Sequence, residues 1–165
     1  MTAPGTAFWR FSLALYGRPG VADSCLKLQD EAGADVNLLL LGFWRAEQGL
    51  APWGEAEIAT LAAAIAPVNE VLRPFRVARR RLKGLAGTAP VAPDLYQADL
   101  YQQAKALELR LEELVQIRLA ELTPAPAAGD LPKPDAAAAH LAAYMATLAQ
   151  PAHPAAEALL AASGF

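Results

Sequence analysis

The stretch GADVNLLLLGFWRAEQG, residues 33 to 49, constrains the fold more than any other part of the chain. From Val36 to Trp44 only Asn37 and Gly42 interrupt the large apolar residues, and Asp35 and Arg45 bracket the run. These nine residues fall far short of the roughly 20 a helix needs to cross a bilayer. Projected as a helix, they put apolar side chains nearly all the way round. Such a helix in a water-soluble chain must be buried on most sides, so the expectation is a central helix that others pack around. Asp35 stands where an N-cap belongs, its carboxylate accepting from the N–H of Asn37 or Leu38, a contribution of about 1 kcal/mol. Gly33 suits the left-handed residue that closes a preceding helix. Asn37 then lies in the first turn of a buried helix, where an unpaired amide costs about 1–3 kcal/mol. It needs a partner on a neighbouring element and is expected to fix packing register.

The rest of the sequence supplies helices to surround it. The 165 residues fit one domain, and much of the 55% apolar content is alanine, which with leucine favours helix because little side-chain entropy is lost there. Residues 6–16 read as a first helix with Thr6 as N-cap, and Val21 to Ala32 as a second. Residues 54–85 read as a long helix that Pro67 and Pro74 kink or briefly break. Residues 84–94 read as a loop. The fifth helix, 94–122, carries the stripe Tyr96, Leu100, Ala104, Leu107, Leu111, Leu114 and Leu122. TPAPAAGDLPKP, residues 123–134, reads as an extended, mobile tether. The predicted fold is all-α: an irregular antiparallel bundle over 6–122 with a central apolar helix. The Pro-rich linker 123–134 then leads to an Ala-rich helical tail, 135–165, that docks loosely or swaps onto a partner.

Composition narrows the function classes. A net charge of −3 speaks against the molecule as a whole binding nucleic acid through charge. The single cysteine, Cys25, leaves no internal disulfide and no Cys-based zinc site. On the apolar face of helix two it reads as a packed small hydrophobe. His140 and His153 lie in the tail with no third ligand at metal spacing. No serine is flanked as in a nucleophile elbow, so no catalytic residue, cofactor or metal is assigned. The start of the chain lacks a basic region before an apolar run, and the expected location is cytoplasmic.

The strongest charge feature is RPFRVARRRLKG, residues 73–84. Arg73, Arg76, Arg80 and Lys83 fall on one polar face beside the apolar stripe Val68, Leu72, Phe75, Ala78 and Leu82. The leading functional expectation is a non-catalytic adaptor that docks an acidic protein partner on this basic strip. Arg79 falls inside the apolar stripe instead. It must snorkel or pair with a carboxylate, with Asp35, Asp30, Glu108 and Glu112 as the candidates. A competing reading is an anionic small-molecule-binding protein or an enzyme, with its cleft between helices one, three and four. Trp9, Arg10, Asp35, Asn37, Trp44 and Arg79 would line it, with Tyr16, Arg18 and Arg45 nearby. RNA binding is the weaker alternative: Phe75 is the one aromatic residue in the basic helix and is expected to face the core. No Gly-rich phosphate loop is present.

The segments FSLALYGRPGV, CLKLQD, GADVNLLL and PFRVARRRLK together resemble a family of small uncharacterised proteobacterial proteins, known as a domain of unknown function. Its pattern is F-x-L-x-L-Y-x-R-P-G-V, then C-L-x-L-Q-D, then G-x-D-V-N-L-L-L, then P-x-R-x-x-R-x-x-L-K. The resemblance spans roughly residues 8 to 120 and implies no activity, ligand or catalytic residue.

Overall fold

A computed structural model describes residues 4–85, 98–123 and 128–165. Over these the elements are α1 (Pro4–Tyr16), α2 (Val21–Ala32), α3 (Val36–Glu47), α4 (Glu55–Leu85), α5 (Ala98–Leu122), α6 (Lys133–Ala146) and α7 (Pro154–Ser163). The fold is an all-α bundle. Among the described residues the extended pairing is one isolated bridge, Leu50 to Ala128. No described helix is long and apolar enough to cross a membrane.

The apolar run forms the centre. Every residue from Asn37 to Phe43 is buried, because α6 covers one side of α3 while α1, α2 and α5 pack on others. Gly42 permits the closest of these approaches. A Cβ there would stand 3.3 Å from the Trp53 ring and 3.4 Å from the His140 Cβ, so a side chain would push α6 away. Around this centre α4 and α1 run against α5, and α2 runs against α7.

Asp35 ties three elements together. Its Oδ1 accepts from the backbone N–H of Asn37 at 2.8 Å and of Leu38 at 3.3 Å, which makes it the N-cap of α3. Its Oδ2 accepts from Asn69 Nδ2 on α4 at 2.7 Å. Its own N–H donates to the Tyr144 hydroxyl on α6 at 2.7 Å. Gly33, at φ 72°, closes α2 in the left-handed conformation expected of it.

Several local expectations change. Thr6 lies inside α1 and is exposed rather than capping it. α4 runs unbroken through Pro67 and Pro74. Both prolines are exposed, as are Ala63 and Glu70 four residues earlier, so the carbonyls left without donors sit on the solvent side. Tyr96 lies outside the described residues, and the leucine stripe of α5 does not mark its buried face. Leu100, Leu107 and Leu114 are 45%, 51% and 47% exposed, whereas Val115, Gln116 and Leu119 are buried.

The C-terminal helices are not loosely docked. α6 and α7 bury His140, Leu141, Tyr144, Met145 and Leu159 in the same core as α3. Residues 124–127 of the Pro-rich segment lie outside the described residues, and the segment after them is held in place. The Gly129 N–H donates to the Gly49 carbonyl at 2.7 Å. A Cβ at Gly129 would come within 2.9 Å of backbone atoms of Leu50 and Ala51, so only glycine fits.

Two predictions follow from this core. Asp35→Ala removes the cap and orphans the Asn69 amide, and urea unfolding should show a loss of about 2–4 kcal/mol. The second concerns His140, which is fully buried, with its Nε2 3.3 Å from the Leu50 carbonyl. Burial, then the nearby Arg45 charge, lowers its pKa from 6.5 to about 4. The unfolded chain therefore takes up this proton first as pH falls. His140's contribution should be intact above pH 6.5 and decline down to about pH 4, a loss of about 3 kcal/mol at most. Unfolding free energies measured across this range should flatten in His140→Gln.

Candidate functional site

α1 to α5 leave between them a cleft of about 530 Å³, within the roughly 300–1,000 Å³ typical of small-molecule sites. Trp9 and Leu13 of α1, Leu26 of α2, Val36 and Leu40 of α3 and Leu109 of α5 give it apolar walls. The α4–α5 side is polar. Arg76 donates from Nη2 to Glu112 Oε1 at 2.6 Å and from Nη1 to Gln29 Oε1 at 3.2 Å. Arg79 holds Glu108 through Nε and through Nη2, the latter at 3.2 Å, and donates to the Tyr101 hydroxyl at 3.2 Å. Arg80 lies 3.7 Å from Asp30, both side chains about half-exposed.

These pairs set the electrostatics. The hydrogen bond to Glu108 raises the Arg79 pKa against the effect of burial. Burial lifts the Glu112 carboxyl above its ordinary range, against the pull of Arg76. Tyr16 is pushed up to about 12, mainly by burial and next by Cys25. Burial likewise pushes the Cys25 thiol up to about 12. Neither group is primed as a nucleophile near neutral pH. Among the described residues, no group of three or more His, Cys, Asp or Glu could hold a metal ion.

The floor of the cleft holds the unusual chemistry. Ser12, Asn37 and Gln116 line it, and each is only 2% exposed. Gln116 Nε2 donates to Asn37 Oδ1 at 2.9 Å. That bond satisfies one end of each amide and leaves Asn37 Nδ2, Gln116 Oε1 and Ser12 Oγ without a protein partner. Among the described residues six buried side-chain polar atoms lack one, and half of them belong to these three residues. Exchanging O and N in both amides swaps the roles but still leaves one donor and one acceptor free.

The structure brings together Trp9, Asn37 and Arg79 from the anticipated pocket residues. Asp35 faces a second groove, of about 780 Å³, with Asn69, Arg73 and Tyr144. Trp44 packs against Phe8 and Phe11, at ring-centroid distances of 6.0 and 5.3 Å. Arg10 is exposed and outside the cleft lining. Arg45 is buried elsewhere, bonded to Glu57 at 2.8 Å and stacked on Trp53.

The basic strip is likewise divided. Arg76 turns inward, because the face of α4 that begins with Ile58, Leu61, Ile65 and Leu72 continues to Arg76 and Arg79. Arg73 lines the second groove, Arg80 lines the cleft, and Lys83 is exposed near the end of α4. The Arg79 partner is Glu108, not Asp35. Gln116 is the residue that sequence reasoning missed. Its signal was the row Glu108, Glu112, Gln116, spaced by four along α5 beside Leu111, Val115 and Leu119.

Residues 7–119 match the family described as "protein of unknown function (DUF2390)". The chain belongs to that family. No curated protein and no solved structure matches it. The family's matched span includes every residue that lines the cleft, from Trp9 to Gln116, and stops before α6 and α7.

A double-mutant cycle on the floor tests whether its polarity serves the fold. Asn37→Leu alone strands Gln116 and should cost about 1–3 kcal/mol. Asn37→Leu with Gln116→Met removes both amides and should leave stability within about 1 kcal/mol of wild type, or raise it. Denaturant unfolding of the four proteins measures the coupling. A double variant as unstable as the sum of the singles would mean that the amides are uncoupled and that each supports the fold on its own.

Proposed function

We propose that this chain is a small-molecule-binding protein whose site is the cleft walled by α1 to α5. The observation that carries this reading is a cleft of about 530 Å³ with apolar walls, backed by the buried cluster of Ser12, Asn37 and Gln116, in which Ser12 Oγ, Asn37 Nδ2 and Gln116 Oε1 have no protein partner. Buried polar atoms are almost always hydrogen-bonded, and leaving one unmet costs about 1–3 kcal/mol. Three in one place, behind the wall of one cleft, mark a region not tuned for stability alone. The apolar walls supply desolvation, and the few polar groups supply orientation.

The adaptor reading is weaker on the same geometry. A surface that docks an acidic partner needs free positive charge. Arg76 already meets Glu112, Arg79 meets Glu108, and Arg80 lies near Asp30. Arg73, Arg81 and Lys83 are the exposed remainder, spread round α4 with Arg73 in the second groove.

The test is a fragment screen followed by two-dimensional amide NMR. Binders should shift the Trp9 indole and the side-chain amides of Asn37 and Gln116. Val36→Trp, which fills the cleft from a half-buried position, should abolish these shifts, as should Leu109→Trp at the exposed rim. Binders that act equally on wild type and on both variants would sink the proposal.

A further inference from the structure

Resting on that reading, we infer that the cleft binds an amphipathic monoanion, its apolar body over the leucines at the cleft mouth and its one carboxylate held by Lys105 and Arg80. The first observation is where apolar surface is left open. Among the described residues nine large hydrophobic side chains are exposed. Three of them, Leu13 of α1, Leu26 of α2 and Leu109 of α5, line this one cleft at 40% to 48% exposure. Single exposed leucines are ordinary, but three helices presenting theirs to one concavity make a patch, and such patches mark binding sites. Trp9 adds a half-buried aromatic face to the same wall. The free amide atoms of Asn37 and Gln116 lie behind this wall, out of a ligand's reach, and take no part.

The second observation is the balance of charge. Four cations line the cleft, Arg76, Arg79, Arg80 and Lys105. Against them stand three carboxylates, Asp30, Glu108 and Glu112. The lining thus carries a surplus of one positive charge, in a chain whose net charge is −3. That surplus is not spread evenly. Arg76 and Arg79 are committed to Glu112 and Glu108, in pairs largely shielded from water. Lys105 is exposed and has no ion-pair partner among the described residues. Arg80 stands 3.7 Å from Asp30, with both side chains about half-exposed. That is beyond the roughly 3.2 Å of an ordinary hydrogen bond. Exposed pairs of this kind contribute little, so the guanidinium is free to turn to a ligand.

The third is placement. Arg79, the chain neighbour of Arg80, bonds Tyr101 and Glu108 on α5, which flank Lys105 four residues before and three after. The two available cations therefore stand at one level of the α4–α5 pair, and both line the cleft. Leu109 lies one turn from Lys105 on the same face of α5. A carboxylate held between the cations puts its apolar body beside Leu109, where Leu13 and Leu26 complete the cover. A cationic head would meet like charge there, and a dianion would exceed the surplus of the lining. An acidic protein surface would leave the leucines uncovered.

Four probes separate the possibilities on the 165-residue chain: octanoate, octanamide, octylamine and acetate. Titrations at low salt are followed through the Trp9 indole resonance. Octanoate should bind about fivefold tighter than octanamide, which keeps the chain and a planar head without the charge. Raising the ionic strength should shrink that preference. Octylamine should bind more weakly than either, and acetate, a head without a body, should not bind measurably. Arg80→Gln with Lys105→Gln alters two exposed side chains and should leave the backbone amide spectrum unchanged. This double variant should bind octanamide as wild type does and lose the preference for octanoate. Equal binding of octanoate and octanamide by wild type would overturn the inference, as would tighter binding of octylamine. So would a preference for octanoate that survives in the double variant, or acetate binding as tightly as octanoate. Each of these results leaves the cleft standing as a binding site. If none of the four probes enters the cleft while other fragments do, the amphipathic anion is wrong and the site survives. If nothing enters it, both readings fall.

Discussion

The bonds made by Asp35 are the constraint on which the rest of the structure hangs. One carboxylate caps α3, holds α4 through Asn69, and lies beside the backbone N–H that reaches α6 through Tyr144. A helix buried all the way round gives neighbours no polar edge from which to take their orientation, because apolar packing is non-directional. The start of α3 supplies that direction. With α3 fixed at this end, Asn37 in its first turn is delivered to Gln116.

What could be read from the sequence follows how local the cause is. Gly33 and Asp35 act on their own helix ends, so the αL closure and the N-cap were visible in residue type and order. The burial of α3 was visible because it follows from apolarity alone. Arg79 was recognisable as needing a carboxylate, since a charge within an apolar stripe demands one. The choice among Asp35, Asp30, Glu108 and Glu112 was not recognisable, because it depends on how α4 and α5 align. The leucines of α5 misled for a related reason. Leu100, Leu107 and Leu114 look like a core face, yet the helix turns its Glu108, Glu112 and Gln116 row inward. Periodicity ranks apolar faces, and here the buried one is the face of Val115 and Leu119, with the ion-paired glutamates beside it. The C-terminal helices were underestimated because alanine gives little hydrophobic signal. Small residues nonetheless let α6 lie close against Gly42 of α3.

The cleft shows a tension between stability and purpose. A chain optimised only to stay folded would fill that space with leucine and spare itself the desolvation of two amides and a hydroxyl. The surrounding α4–α5 ion pairs have a different character, since their partners are complete and they brace the polar wall. The matched polar groups hold the cleft's shape, and the unmatched ones behind its wall are a cost the fold carries.

The separation of Asp35 from Tyr144, 109 residues along the chain, bears on how the protein is made. During synthesis the cap of α3 and its bond to Asn69 on α4 can form early, from nearby segments. The side of α3 that α6 will cover stays bare until residues 136–145 have left the ribosome, and Trp53 waits as long for the His140 carbonyl. For much of its emergence the nascent chain thus carries its greasiest helix half-wrapped, the condition in which incomplete chains associate or engage chaperones. α6 then covers the open side of α3.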